Sequence, residues 1–323
     1  STFKLENAVN EVRSAGRELA SRNRWMAIKR KGGLAVGLSL PVLILGKYAH
    51  KILTEQANLM SDLNQEYGLQ LTEGTQAELR LLKATLECNP KDVTTWSEEQ
   101  IRPSAKSQIL TLVLGHSGAH RDDGARDEDI YQRLTQIQLR TGIAFCTRWG
   151  HESSAYWRPE EIEAVDEAIE LFPPDVLLGL KELNGIVRVN PIFQPKGTSK
   201  NKTVWGIYVQ SSKSIDLYTP TEGEASKGTL AHEIGHAISH ENRIGSSLGW
   251  RKVNWRLDPL RGHVPDESKW WPPDNAKEAY AKTNPEENWG EAVECFFAIP
   301  GCGRTMEEKN TEMYEYMQRI FNR

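Results

Sequence analysis

The feature that most constrains the fold is a five-residue motif, His-Glu-Ile-Gly-His, at residues 232–236. On an α-helix, residues four apart lie on one face, so the imidazoles of His232 and His236 can reach a single ion. Glu233 lies beside them, within reach of a water bound to that ion. Zinc lowers the pKa of such a water to about 7, and a neighbouring carboxylate can take its proton. The motif therefore predicts a helix, a zinc ion and a general base.

The residues around the motif are typical of a helix that packs on a hydrophobic core. Leu230, Ile234 and Ile238 supply an apolar face opposite the two histidines. The alternative interpretation is a surface helix that carries two histidines and no metal. The apolar face favours the zinc interpretation.

A catalytic zinc ion normally has three protein ligands and one open position, so a third ligand is needed. His240 and His263 are two candidates. A third candidate is segment 284–294, where three glutamates share one face of a predicted helix: Glu287, Glu291 and Glu294. Burying three carboxylates is costly unless a cation meets them. The stripe is therefore either one wall of a metal site or an ordinary solvated acidic face.

Taken together, the two segments resemble the gluzincin metallopeptidases, and most closely the catalytic domain of the anthrax lethal factor family. That family carries the pattern H-E-x-G-H-A, followed by Y-x-x-T-N-x-x-E-x-x-x-E-A. This chain has HEIGHA at 232–237 and YAKTNPEENWGEA at 280–292. The resemblance covers residues 160–323. It departs from the family at Pro285 and at 288–290, where more aromatic residues are expected.

The resemblance implies a role for each matching residue. Three residues would bind zinc: His232, His236 and Glu287. Glu233 would be the general base, and Tyr280 would donate its hydroxyl to the oxyanion of the tetrahedral intermediate. Glu291 would support the site from outside the ligand set, as metal ligands usually require. The implied fold is α+β, a zincin-like metallopeptidase domain preceded by a mainly helical N-terminal region.

The implied function is that of a zinc-dependent endopeptidase acting on a protein or peptide substrate. A protein of a different class also fits the sequence, namely a structural or delivery component of a secretion machine or virion, or a membrane-associated one. In such a protein the zincin domain would have minor activity or none. A third interpretation is a secreted toxin or effector protease. The near-neutral charge balance argues against a nucleic-acid partner.

The first 53 residues differ from the rest in charge. They contain ten Lys or Arg and three Glu, which gives a charge of +7. Because the whole chain has a net charge of −4, the other 270 residues carry a net charge of −11. A basic stretch precedes residues 32–46, which hold no charge but fall short of the roughly 20 apolar residues of a spanning helix. We expect membrane contact through 32–46, or a buried hairpin or oligomer contact. The run lies too far from residue 1 for an ordinary cleaved signal peptide, so the location stays open between membrane-associated and secreted or delivered.

The chain is expected to have three parts. Residues 1–53 form the basic and apolar segment, 54–107 a helical stalk or linker, and 108–323 the zincin-like catalytic domain. The spacing of apolar residues predicts helix over 52–88, with a capping box formed by Thr75 and Glu78, as a stalk or a helical hairpin.

Within the expected catalytic domain, the apolar run 109–114 predicts a buried strand, and 115–129 predicts a loop. His116 and His120 of this loop are either metal ligands or, as is more common for scattered loop histidines, solvated. Helices are predicted to start near Pro159 and near Ala225, and a last helix carries Met313, Met317 and Ile320 on one face. Strand patterns occur at 185–190, 203–210 and 214–218, the last two as a hairpin. We expect an extended substrate to add to this hairpin as a further strand.

The four cysteines are too few and too scattered for a disulfide framework, and no CxxC pair suggests a cysteine zinc site. We expect free thiols, with a pair between Cys295 and Cys302 as the alternative. Four tryptophans between the two motifs predict either a small core under a long loop or the lining of a substrate cleft: Trp250, Trp255, Trp270 and Trp271.

Overall fold

The computed structural model describes residues 39–88, 101–115, 124–147, 156–178, 180–189, 205–218, 224–271 and 280–321. The chain divides into two compact units, Ser1–Glu66 and Tyr67–Arg323. The first unit contains most of α1 (Ser39–Tyr67). Within the described part of the chain, no helix has both the length and the apolar character needed to cross a membrane. Residues 32–38 of the predicted apolar segment lie outside the described residues.

The second unit mixes helices and strands, with more residues in helices. In chain order its described elements are α2 (Gln76–Glu87), α3 (Ala105–Leu114), α4 (Gly124–Thr141), β1 (Ala144–Thr147), α5 (Pro159–Ile169), α6 (Pro174–Leu178), β2 (Gly185–Arg188), β3 (Gly206–Val209), β4 (Ser214–Leu217), α7 (Glu224–Asn242), α8 (Leu248–Asn254), β5 (Trp255–Asp258), β6 (Gly262–Pro265), α9 (Pro285–Phe297), α10 (Cys302–Lys309) and α11 (Thr311–Phe321). This content confirms the α+β class.

The main sheet positions the helix that carries the His-Glu motif. Its strand order is β1-β2-β4-β3, with β1, β2 and β4 parallel and β3 antiparallel to β4 at one edge. Helix α7 packs on β3 and β4, and α5 and α9 pack on α7. The predicted strands and the β3–β4 hairpin are confirmed, as are the helix starts at Pro159 and near Ala225. Edge strand β3 therefore lies directly over the motif helix.

The prediction of a strand at 109–114 is wrong, because these residues belong to helix α3. The side chain of Ser104 accepts a hydrogen bond from the Ser107 N–H at the start of α3, and Gly115 adopts the left-handed conformation that ends it. The helix is buried along nearly its whole length. A buried helix and a buried strand both read as a continuous apolar run, so the pattern could not separate them.

The predicted helical stretch 52–88 consists of two helices, because α1 ends at Tyr67 and α2 starts at Gln76. Gly68, at φ +65°, allows the chain to turn after α1. The capping box is confirmed: Glu78 N–H donates to the Thr75 hydroxyl oxygen (3.2 Å), and Thr75 N–H donates to the Glu78 carboxylate (2.6 Å). The domain boundaries at residues 53 and 107 stay predictions.

The prediction of free thiols is wrong, because both cysteine pairs form disulfides. The Cys295–Cys302 alternative is confirmed, with Cα atoms 5.2 Å apart. Cys88 and Cys146 are 58 positions apart, yet the packing of α2 on β1 brings their Cα atoms to 6.0 Å. Sequence spacing carries no trace of that packing, which is why this pair was missed.

The tryptophans between the two motifs form small cores. Trp250 packs edge-on against Trp289, with ring centroids 5.1 Å apart, and Trp255 packs against Trp271 at 5.7 Å. Trp250, Trp255 and Trp271 are buried, so the core interpretation is confirmed for these three, whereas Trp270 is partly exposed. Trp250 Nε1 also donates to the Pro285 carbonyl oxygen (2.9 Å), which ties α8 to the start of α9.

The two disulfides should contribute unequally to stability, since the loops they close differ in length. Replacing both Cys88 and Cys146 by Ala frees a loop of 58 residues, and the same change at Cys295 and Cys302 frees a loop of 7. Chain-entropy reasoning predicts losses of about 4 and about 2 kcal/mol, respectively, in the free energy of unfolding. Urea unfolding of the two double variants measures this difference. Equal losses would contradict the assignment.

Candidate metal centre

The candidate site lies where α7 and α9 cross, and two glycines make the crossing close. A Cβ atom on Gly235 would lie 3.1 Å from Val293 Cβ and 3.4 Å from Gly290 Cα. A Cβ atom on Gly290 would lie 2.7 Å from Cε1 of His232. Trp289 Nε1 donates to the Gly235 carbonyl oxygen (2.7 Å) and fixes one helix against the other. The absence of side chains at both glycines lets α9 approach the His232 ring.

Three predicted site residues meet at this crossing. The Nε2 atoms of His232 and His236 are 2.9 Å apart, and Glu287 Oε2 lies 3.2 Å from the first and 3.3 Å from the second. Of the described residues, these three form one group with donor atoms close enough to share an ion. Two imidazole nitrogens and a carboxylate oxygen are ligand types that zinc accepts. The crossing thus brings together all three residues of the expected ligand set.

Glu287 reaches the histidines because α9 starts at a defined residue. Asn284 caps the helix by accepting a hydrogen bond from Glu287 N–H (2.9 Å), and Pro285 occupies the first turn, where its missing N–H costs nothing. Pro285 therefore suits the helix start. Burial alone would raise the pKa of Glu287, but hydrogen bonds to His232 and His236 hold this pKa well below its usual range.

The second ring nitrogen of His232 faces two further carboxylates of α9. His232 Nδ1 lies 3.3 Å from Glu291 Oε1 and 4.0 Å from Glu294 Oε2. Burial would lower the pKa of His232, but hydrogen bonds to Glu287 and Glu291 raise it well above its usual value. These contacts place Glu291 at the ring nitrogen of His232 that faces away from Glu287. The predicted acidic stripe thus faces His232 with all three of its carboxylates, and the solvated interpretation is wrong.

Glu233 points from α7 towards the edge of the sheet. Its Oε2 atom accepts a hydrogen bond from the backbone N–H of Tyr208 in β3 (2.7 Å). Gly206 makes room for this contact, since a Cβ atom there would lie 3.2 Å from Glu233 Cγ. Oε1 of Glu233 has no hydrogen-bond partner in the part of the chain that is described. Among the described residues, the carboxylate is therefore held through one oxygen only.

Tyr280 lies on the other side of His232, with ring centroids 6.0 Å apart. Burial raises the pKa of its hydroxyl, and the neighbouring Glu287 carboxylate raises it further. The hydroxyl therefore keeps its proton at neutral pH and can act as a hydrogen-bond donor at the site.

The structure does not bring the other candidate ligands to this group. His240 Nδ1 contacts Glu182 Oε2 at 3.1 Å, and His263 lies in the β5–β6 hairpin. Neither belongs to a ligand-capable group of the described residues. The predicted loop histidines His116 and His120 lie outside the described residues.

Sequence reasoning missed two contributors to the site. Tyr208 acts through its backbone N–H, which leaves no residue-specific signal in a sequence. Gly290 had a signal, because a glycine one position before Glu291 interrupts an otherwise helix-favouring segment. Only the packing of α7 on α9 explains why a glycine is needed there.

The chain matches no protein-family model and no curated protein. Among solved structures it is similar to a Pro-Pro endopeptidase from Paenibacillus alvei, with 15% sequence identity and a TM-score of 0.38. The alignment covers 58% of this chain and 100% of that chain. A likeness with so low a TM-score establishes neither a shared fold nor a shared activity. Membership of the lethal factor family therefore stays a prediction.

Replacing Gly290 by Ala should displace His232, since the new Cβ atom would overlap the imidazole ring. We expect a destabilisation of about 1–3 kcal/mol, typical of overpacking in a core, and a lower zinc content after metal loading. Thermal unfolding and metal analysis measure the two effects. Gly303→Ala is the matched control, because its nearest neighbour is a carbonyl oxygen at an ordinary 3.4 Å. Equal zinc content in both variants would contradict the account of the crossing.

Proposed function

We propose that the chain is a zinc-dependent endopeptidase with a zincin-like domain, in which His232, His236 and Glu287 bind the metal. The observation that carries the proposal is the triangle of donor atoms, with sides of 2.9, 3.2 and 3.3 Å. A tetrahedral zinc ion with bonds of about 2.0–2.1 Å holds its ligand atoms about 3.3 Å apart. The donor set therefore fits zinc in both chemistry and spacing.

The composition of the ligand set favours a catalytic ion over a structural one. Two histidines and one glutamate leave the fourth position of a tetrahedral zinc ion open, as catalytic sites require. Zinc bound there would polarise a peptide carbonyl and lower the pKa of a water to about 7. Glu291 would accept the Nδ1 proton of His232 and keep Nε2 directed at the metal.

The remaining roles follow from the hydrogen bonds of Glu233 and Tyr280. Because Tyr208 N–H holds Oε2 of Glu233, the open Oε1 would take the proton of the attacking water and pass it to the leaving amine nitrogen. The protonated hydroxyl of Tyr280 would donate to the carbonyl oxygen as that oxygen gains negative charge. Each group would thus hold or move one proton at a named atom.

A substrate polypeptide would run along edge strand β3. The edge of β3 that faces away from β4 carries the backbone groups of Gly206 and Tyr208, and Glu233 already occupies the N–H of Tyr208. An added strand would therefore bond to the remaining groups of this edge while its scissile carbonyl meets Glu233. This arrangement supports a protein or peptide as the substrate.

The disulfides favour one of the alternative roles in particular. Cys88–Cys146 and Cys295–Cys302 would persist in an oxidising compartment, as in secreted proteins. This supports a secreted protease, including a toxin or effector. For the structural or delivery role, deletion of residues 1–53 is the discriminating experiment: a peptidase keeps its cleavage activity, whereas a delivery component loses its main property.

Glu233→Gln should abolish hydrolysis while zinc stays bound, because it removes the base and leaves the ligands in place. We expect a loss of at least 10²–10⁴-fold in kcat, roughly the contribution of general acid–base catalysis. Turnover of a peptide library and metal analysis of the same sample measure both properties. Full activity in this variant would refute the role of Glu233.

Glu287→Ala should lower zinc occupancy, because it removes one of three ligands and leaves two histidines. His263→Ala is the control, since this histidine lies in the β5–β6 hairpin and should leave occupancy unchanged. Metal analysis after dialysis against a zinc buffer measures both. Unchanged zinc in Glu287→Ala, or lost zinc in the control, would assign the third ligand elsewhere.

A further inference from the structure

A polar cavity of about 530 Å³ lies at the C-terminal end of α7. Its lining includes Lys181, Glu182, His240, Glu241, Arg243 and Glu286. Two lining residues are neighbours of candidate ligands along the chain, since His240 follows His236 by about one turn of α7 and Glu286 directly precedes Glu287. Its volume is typical of a pocket that receives a ligand or a substrate side chain.

Tyr208 connects this cavity to the catalytic carboxylate. Its backbone N–H donates to Glu233, and its hydroxyl donates to the Glu182 carbonyl oxygen at the cavity (3.0 Å). Its ring also lies beside His240, with centroids 6.2 Å apart. A polypeptide that runs along β3 with its scissile bond at Glu233 would therefore place a neighbouring residue at the cavity.

The carboxylates of the cavity already have partners. Glu182 pairs with Lys213 Nζ and with His240 Nδ1, each at 3.1 Å, and the hydrogen bond from Lys213 is the main cause of its lowered pKa. Glu241 Oε2 accepts the backbone N–H groups of residues 181 (2.7 Å) and 182 (3.0 Å). Glu286 accepts the Ser239 hydroxyl proton (2.5 Å) and lies in the first turn of α9, where the helix dipole favours an anion.

The cationic side chains of the cavity differ from these carboxylates. Neither the Lys181 ammonium nor the Arg243 guanidinium forms an ion pair or hydrogen bond within the described ranges, 39–321 with their gaps. The Arg243 backbone is held at φ +52° just after α7, and its carbonyl oxygen accepts the Ser246 hydroxyl proton (3.0 Å). Among the described residues, the cavity therefore presents two cations without an ionic partner beside acceptors that are already hydrogen-bonded.

On the basis of the proposed peptidase activity, we propose that this cavity is a substrate subsite for an acidic side chain, bound by Arg243 and Lys181. A carboxylate matches the forked donors of a guanidinium, and the ammonium supplies a second charge. The substrate class is then a polypeptide with Asp or Glu close to the scissile bond.

The test compares peptides that carry Glu, Gln or Lys at one position, scanned through an otherwise neutral sequence. Wild-type protein loaded with zinc should cleave the Glu peptide about tenfold faster than the Gln peptide at one position, a difference in transition-state binding of about 1.4 kcal/mol. Arg243→Glu should lose this preference and favour Lys at the same position. Arg243→Ala, which adds no new charge, should abolish the preference without reversing it.

Arg261→Glu is the matched control for the change in charge. Arg261 is an exposed arginine in the turn between β5 and β6 and does not line the cavity. This variant should keep the wild-type preference for Glu. The same preference in Arg243→Glu as in Arg261→Glu would overturn the subsite, even if the protein cleaves peptides.

A binding measurement separates failure of the subsite from failure of the peptidase proposal. Fluorescence polarisation with the same labelled peptides and the zinc-loaded Glu233→Gln variant reports affinity without turnover. The Glu233→Gln variant should bind the Glu peptide more tightly than the Gln peptide, and the Glu233→Gln, Arg243→Glu double variant should lose this difference. That result supports the subsite whether or not the wild-type protein cleaves the peptides. No difference between Glu and Gln peptides in either assay overturns it.

Discussion

The close crossing of α7 and α9 is the contact on which the candidate site depends. Gly235 and Gly290 bring the two helices together, so that the His232 ring lies directly against the backbone of α9. The hydrogen bond from Trp289 to the Gly235 carbonyl oxygen and the packing of Trp250 on Trp289 fix this arrangement from the core side. Because protein interiors are close-packed, a single methyl group added at the crossing would displace the His232 ring. The geometry of the donor atoms is thus a consequence of backbone packing.

The charges at this crossing are suited to a cation. His232 is buried and faces Glu287, Glu291 and Glu294, and a buried charge is stabilised only when a partner of opposite sign meets it. Hydrogen bonds from the two histidines lower the pKa of Glu287, while the carboxylates raise that of His232. The three glutamates belong to the part of the chain that carries −11 charges, and at this crossing they face the imidazoles. A zinc ion would satisfy the same electrostatic demand.

The sequence predicts those parts of the site that depend on spacing along one helix. The i, i+4 histidines, Glu287 after the Asn284-Pro285 helix start, and the capping box at Thr75 all follow from local rules. Contacts between distant segments do not follow: the Cys88–Cys146 disulfide, the Tyr208 N–H that holds Glu233, and the glycine contact at His232 each require tertiary packing. The strand predicted at 109–114 failed for a related reason, since a helix buried on all sides loses its periodic pattern.

A metal-dependent cleavage profile tests the central claim most directly, namely that the crossing of α7 and α9 builds a zinc peptidase. The full chain is incubated with a complex peptide mixture as purified, after removal of metal by a chelator, and after addition of one equivalent of zinc. The account predicts cleavage at internal peptide bonds that disappears with the chelator and returns with zinc at the same bonds. Cleavage that persists after complete metal removal, or its absence in the zinc-loaded protein, would contradict the account.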